Sequence, residues 1–178
     1  DLILAQEESP DLEALWGQVR PALDQALEEL DAMRASEGAT LAQDLRQRLD
    51  RLGELFEAAA TRAPEIVENY RQRLNERIAK LTDQVEMDPQ RLALEVAIIA
   101  DKCDITEEAV RARSHLEQFR AFLASPEVVG RKLDFLIQEL NREANTMGSK
   151  SPDAEASQLI VELKAELERV REQVQNIE

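Results

Sequence analysis

The sequence predicts an all-α fold, an elongated bundle of six or seven amphipathic helices ending in an antiparallel helical hairpin. Three observations predict it. The chain has only five glycines, is 3% aromatic and 33% charged, and is rich in Ala, Leu, Glu, Gln and Arg, residues that lose little on entering a helix. Apolar residues recur at alternating spacings of three and four, which aligns them along one side of a helix. A short polar residue followed by proline recurs along the chain, and proline in a first helical turn presets φ without losing a needed N–H.

In chain order, the first start signal is Ser9-Pro10-Asp11. Pro21 and then Gly38 interrupt the pattern that follows, so Trp16 to Arg62 forms either one kinked helix or two. Leu41, Leu45, Leu52, Phe56 and Ala59 mark an apolar stripe, and Pro64-Glu65 opens a further helix with Ile66, Tyr70, Leu74, Ile78 and Leu81. Asp88-Pro89 starts the next. Asp104 with Glu107 resembles a capping box ahead of Ile105, Ala109, Ala112, Leu116, Phe119 and Leu123. Ser125-Pro126-Glu127 precedes Leu133, Leu136, Ile137, Leu140, Ala144 and Met147. A Gly148-Ser149-Lys150 connection and a Ser151-Pro152-Asp153 start then lead to Ile160, Leu163, Leu167, Val170, Val174 and Ile177, the second arm of the hairpin. No strand alternation, long Gly/Ser linker or internal repeat appears.

With 43% hydrophobic residues but few aromatics, the core rests on Leu, Ile, Val and Ala. A net charge of −15 repels phosphate at long range and argues against a general nucleic-acid binder and against an anionic membrane surface. The single Cys103 cannot form an internal disulfide, which fits a reducing, cytoplasmic setting. No apolar run approaches the roughly 18 residues of a membrane span, the start lacks a secretory signal, and the missing initiator methionine points to absent upstream sequence.

Gly-rich phosphate loops, Cys-x-x-Cys pairs, His-Glu-x-x-His and nucleophile-elbow motifs are missing, so any chemistry uses carboxylates and the one histidine, His115. On a helix His115 shares a face with Glu108 and Arg111, apart from the apolar stripe. That face either binds a metal or moves a proton beside a phosphate, or it is a solvated polar surface. Asp104 and Glu107 read more simply as helix caps than as paired acids. The richest stretch runs from Gly130 to Asn145 and mixes amides, acids and arginines opposite an apolar face. Within it Glu139 and Glu143 project together, either toward one Mg²⁺ or Mn²⁺ or into ion pairs. Arg131, Lys132, Arg142 and Lys150 supply local positive charge for phosphate or for an ion-pair network. Arg71, Arg73, Arg77 and Lys80 alternate with Glu68 and Glu76 and read as a solvated face.

The run Val129-Gly130-Arg131-Lys132-Leu133-Asp134-Phe135, continued by Gln138-Glu139-Leu140-Asn141-Arg142-Glu143-Ala144-Asn145-Thr146, resembles the signature of YicC-like proteins. So do Ser149-Lys150-Ser151, Ala154-Glu155, Glu162-Leu163-Lys164 and the ending Arg171-Glu172-Gln173-Val174-Gln175-Asn176-Ile177-Glu178. Upstream, Glu95, Asp104-Ile105, Glu107-Glu108, Arg111 and His115, with Arg34, Glu37-Gly38, Leu41 and Arg48, are similar to earlier motifs of that family. The resemblance divides the chain into an N-terminal helical segment, 1–86, and a C-terminal region with the signature, 87–178; the family's N-terminal α/β domain is expected to be missing.

The resemblance implies a divalent-metal-dependent endoribonuclease of bacterial RNA turnover, with RNA as substrate, Mn²⁺ or Mg²⁺ as cofactor, a homo-oligomer expected to be a hexamer, RNA-decay proteins as further partners, and no membrane. Side-chain chemistry then assigns Glu108, His115, Glu139 and Glu143 to metal or proton transfer, and Arg111, Arg131, Lys132, Arg142 and Lys150 to RNA phosphate. A noncatalytic helical adaptor that binds RNA or protein, and an oligomerisation module, are the competing readings.

Overall fold

A computed structural model describes residues 11–81, 88–125, 129–175 and 177. Among them all regular structure is α-helical: α1 (Leu12–Leu81), α2 (Pro89–Cys103), α3 (Thr106–Leu123), α4 (Gly130–Lys150) and α5 (Ala154–Val174). Five helices replace the expected six or seven, because the breaks anticipated at Pro21, Gly38 and Pro64 all lie inside the 70-residue α1. Proline costs a helix interior about 3 kcal/mol and glycine about 1 kcal/mol. Both are outweighed here by long runs of Ala, Leu, Glu, Gln and Arg on either side.

The chain divides into two compact units, Asp1–Leu41 and Ala42–Glu178, where the sequence suggested a division after residue 86. In the first unit Asp11 opens the helix, its Oδ1 accepting from the backbone N–H groups of Glu13 and Ala14 at 3.1 and 3.3 Å. Ser9 and Pro10 lie outside the described residues. Every described residue from 11 to 40 is exposed, including Leu12, Leu15, Trp16, Val19, Leu23, Leu27, Leu30 and Met33.

The second unit buries the same kind of stripe. Leu45, Leu49, Leu52, Leu55, Phe56 and Ala59 are at most 4% exposed. Ion pairs give the direction of packing: Arg48 meets Glu166 at 2.8 Å and Arg62 meets Asp153 at 3.2 Å, so this part of α1 runs antiparallel to α5. Arg120 to Asp50 at 2.9 Å and Arg113 to Glu57 make the same statement for α3. Ile66 packs with Cys103 and Ala156 in a smaller cluster, and burial pushes the Cys103 thiol above its ordinary pKa, which keeps it protonated and unreactive.

The hairpin is α4 against α5. Gly130 lies against the end of α5, where a Cβ would stand 3.2 Å from the Ile177 carbonyl oxygen, and a Cβ at Gly148 would stand 3.2 Å from Ile160 at the other end. The two helices are therefore antiparallel and close. Asp88 caps α2 with Pro89 at its first position, as expected. The other signals shift: α4 runs through Lys150, and Asp153 rather than Ser151 caps α5, accepting from the Ala156 N–H at 3.2 Å while Ser151 is buried. The shift follows from α4 using Gly148 to Lys150 as its own last turn. At α3 the Asp104 carboxylate accepts from the Thr106 N–H at 2.9 Å, which draws its pKa down, and the helix begins after Ile105. Pro126 and Glu127 lie outside the described residues, and α4 begins at Gly130 with no side-chain cap.

Candidate metal centre

Two of the three buried carboxylates among the described residues, Glu108 and Glu143, lie at the seam between α3 and α4; the third is Glu166 on α5. Glu108 on α3 is 3% exposed and Glu143 on α4 is 4% exposed, although the flanks of both helices are solvated. The face holding Glu108, Arg111 and His115 was expected to stand apart from the apolar stripe; it borders it, because Glu108 lies one turn from buried Ala112. A buried carboxylate is tolerable only with partners, and these are supplied by Arg111 of α3 and Lys150 of α4.

Arg111 grips Glu143 with both branches of its guanidinium, Nε to Oε1 at 2.8 Å and Nη2 to Oε2 at 3.0 Å. The same guanidinium reaches Glu107 at 3.1 Å through Nη1 and Glu108 at 3.3 Å through Nη2. Hydrogen bonds to Glu143 and then to Glu107 raise its pKa further above the ordinary arginine value. Lys150, at the end of α4, donates to Glu108 Oε1 at 3.0 Å and to the Asp104 carbonyl at 2.9 Å. Burial alone would raise the Glu108 pKa, but the Lys150 hydrogen bond and the charges of Lys150 and Arg111 outweigh it and hold the group below the ordinary carboxylate value.

Beside this network, His115, Glu139 and Glu143 each present a ligand atom, and those atoms lie within 4.8 Å of one another. His115 Nδ1 is buried and has no hydrogen-bond partner, as is Glu108 Oε2. An imidazole nitrogen converging with two carboxylates, on a ring whose buried Nδ1 lacks a partner, is a donor set suited to a divalent cation. Of the four residues expected to serve metal or proton transfer, three are therefore together, while Glu108 is engaged by Lys150 and Arg111.

The five cations expected to meet phosphate are dispersed. Arg111 and Lys150 are turned onto carboxylates, and the Lys132 ammonium lies 5.2 Å from the Phe122 ring centroid. Arg131 is exposed at the start of α4. Arg142 is 76% exposed and reaches Glu139 only at 3.9 Å. It borders a shallow groove of about 420 Å³ along α4 beside α5, together with Ile137, Gln138, Asn141, Asn145, Thr146 and Arg171. Arg171 comes from α5, and no local pattern in the sequence connects it to α4; only the hairpin's register does.

No described helix is long and apolar enough to cross a membrane. Residues 59–178 match the family model described as Endoribonuclease YicC-like, C-terminal, and residues 1–43 match the model described as Endoribonuclease YicC-like, N-terminal region. The second match ends within about two residues of the change from exposed to buried stripe in α1. A probable endoribonuclease YicC from Clostridioides difficile (strain 630) is 46% identical over 179 residues, covering 100% of this chain and 61% of the relative. One of the same name from Haemophilus influenzae is 38% identical over 177 residues, covering 99% and 60%. The chain thus spans about three-fifths of the length of the curated relatives it matches.

Proposed function

The chain belongs to the YicC-like endoribonuclease family, and we propose on that premise that it contributes the metal centre of a divalent-cation-dependent endoribonuclease, held by His115, Glu139 and Glu143. The observation that carries the reading is the convergence of a His115 ring nitrogen with the Glu139 and Glu143 carboxylates within 4.8 Å, on an imidazole whose buried Nδ1 has no hydrogen-bond partner. Mn²⁺ or Mg²⁺ bound there would supply Lewis-acid stabilisation of negative charge on a phosphodiester. The remaining residues act by position. Arg111 uses four of its five N–H donors on Glu143, Glu107 and Glu108, so it fixes the Glu143 carboxylate, whose other lone pairs stay open to a cation. Lys150 and Glu108 in turn anchor α3 to the end of α4 and set the spacing from His115 to Glu139. Arg142, exposed and only loosely paired, is the cation best placed to meet RNA phosphate near the cluster. Assembly into a homo-oligomer is the companion reading, supported by the exposed apolar stripe from Leu12 to Met33.

The test is cleavage of labelled RNA by the full chain with and without Mn²⁺ or Mg²⁺, beside His115→Ala and Glu139→Gln, with Mn²⁺ binding read separately by paramagnetic broadening. We expect both substitutions to weaken Mn²⁺ binding at least tenfold and to abolish metal-dependent cleavage while the fold persists. Cleavage that survives both, or needs no metal, rejects this centre. RNA bound but never cut supports the adaptor.

A further inference from the structure

We infer that the groove along α4 beside α5 reads the bases of single-stranded RNA and delivers the strand to the neighbouring carboxylates; this rests on the endoribonuclease reading above. Four observations converge. Gln138, Asn141 and Asn145 stand three and four residues apart and are grouped by the groove with Arg142, Thr146 and Arg171. Phe135, one turn earlier on the same side, is 58% exposed, an apolar surface that folding does not need there. Arg142 lines this groove and also comes within 3.9 Å of Glu139 of the cluster. Among the described residues each arginine's ion pair is long, 3.9 Å for Arg142 and 3.7 Å for Arg171, with a glutamate on its own helix, and the side chains are 76% and 49% exposed.

The chemistry of these groups selects the ligand. Side-chain amides carry both donors and acceptors and match the edges of bases, while an exposed phenyl ring stacks on their faces. In an A-form duplex the Watson–Crick edges are paired and the major groove is too deep and narrow for side chains, so the amides reach those edges only in a single strand. The net charge of −15 argues against affinity built on many phosphate contacts. With two arginines as the phosphate contacts, log K should fall with log salt at a slope of about −1.4, shallow for a nucleic-acid binder.

The experiment titrates fluorescein-labelled A, C and U decamers and a duplex onto the full chain in EDTA, so that binding is read apart from cleavage. We expect the single strands to bind at least tenfold more tightly than the duplex, Phe135→Ala to weaken all three by roughly tenfold, and Asn141→Ala/Asn145→Ala to change their ranking. Arg171→Gln should flatten the salt slope by about 0.7. Equal binding of duplex, a steep salt slope, or a ranking that survives loss of both asparagines overturns the groove. No binding of any RNA also overturns it, in favour of a protein partner on this face. If the decamers behave as expected but no RNA is cut with Mn²⁺, the groove stands and the metal centre falls; cutting with all groove variants unaffected does the reverse.

Discussion

Two stretches of α1 carry the same pattern and meet opposite fates. Trp16, Val19, Leu23, Ala26, Leu30 and Met33 are spaced by alternating threes and fours, as regular a stripe as any in the chain, and all are exposed. Leu45, Leu49, Leu52, Phe56 and Ala59 follow a similar rule and are buried against α3 and α5. The difference teaches that 3.6-residue periodicity announces a helix with something to cover, and leaves open what covers it. Polar contacts divide the same way. Arg20 and Asp24 pair at 3.5 Å with side chains 67% and 59% exposed, whereas Lys150 pairs at 3.0 Å with a Glu108 side chain only 4% exposed.

The sharpest way to break this contrast is Leu49→Ala. The side chain is fully buried, so the substitution removes its transfer free energy and leaves a cavity, a loss of roughly 2–5 kcal/mol in urea unfolding. A loss below about 1 kcal/mol would mean that the second stretch is no better packed than the first.

A smaller effect belongs to Glu108→Gln, which leaves Lys150 and Arg111 without their buried anion and should cost about 1–3 kcal/mol near neutral pH. The pH dependence has a definite sign. The folded-state pKa of Glu108 lies below its unfolded value, so its contribution is present above the ordinary carboxylate range and is lost as pH falls through the folded pKa. Wild type and variant should therefore differ at pH 7 and converge as the solution is acidified through the folded-state pKa. Asp24→Asn, removing the exposed counterpart, should show no measurable gap at either pH. Parallel curves for Glu108→Gln would place its partners in solvent.

How much of this was legible in the sequence follows from which interactions are local. The all-α class, the Asp88-Pro89 start, the hairpin stripes and the Glu139 and Glu143 pair all arise within one or two helical turns. The number of helices was not legible, since whether Pro21 or Pro64 ends a helix depends on the summed propensity of a 70-residue stretch. The site was half legible. His115 and the two glutamates have the chemistry of metal ligands, but only the packing of α3 on α4 separates them from Glu108, which Lys150 takes from 42 residues away. Arg171 enters the groove through the register of α5, which no spacing within α4 reveals.

The smallest expected effect is the most informative about the exposed stripe. Leu23→Ala removes apolar surface that is already 44% exposed in the single chain, so dilute protein should unfold within about 0.5 kcal/mol of wild type. If copies of the chain cover that stripe, the same substitution becomes costly only where they associate, and the gap should widen as protein concentration rises because assembly stabilises by mass action. Urea unfolding of both proteins across a hundredfold range of concentration separates the cases. A gap that stays small throughout leaves the stripe uncovered by its own copies, and one above about 1 kcal/mol even at the lowest concentration would mean that Leu23 is packed within a single chain.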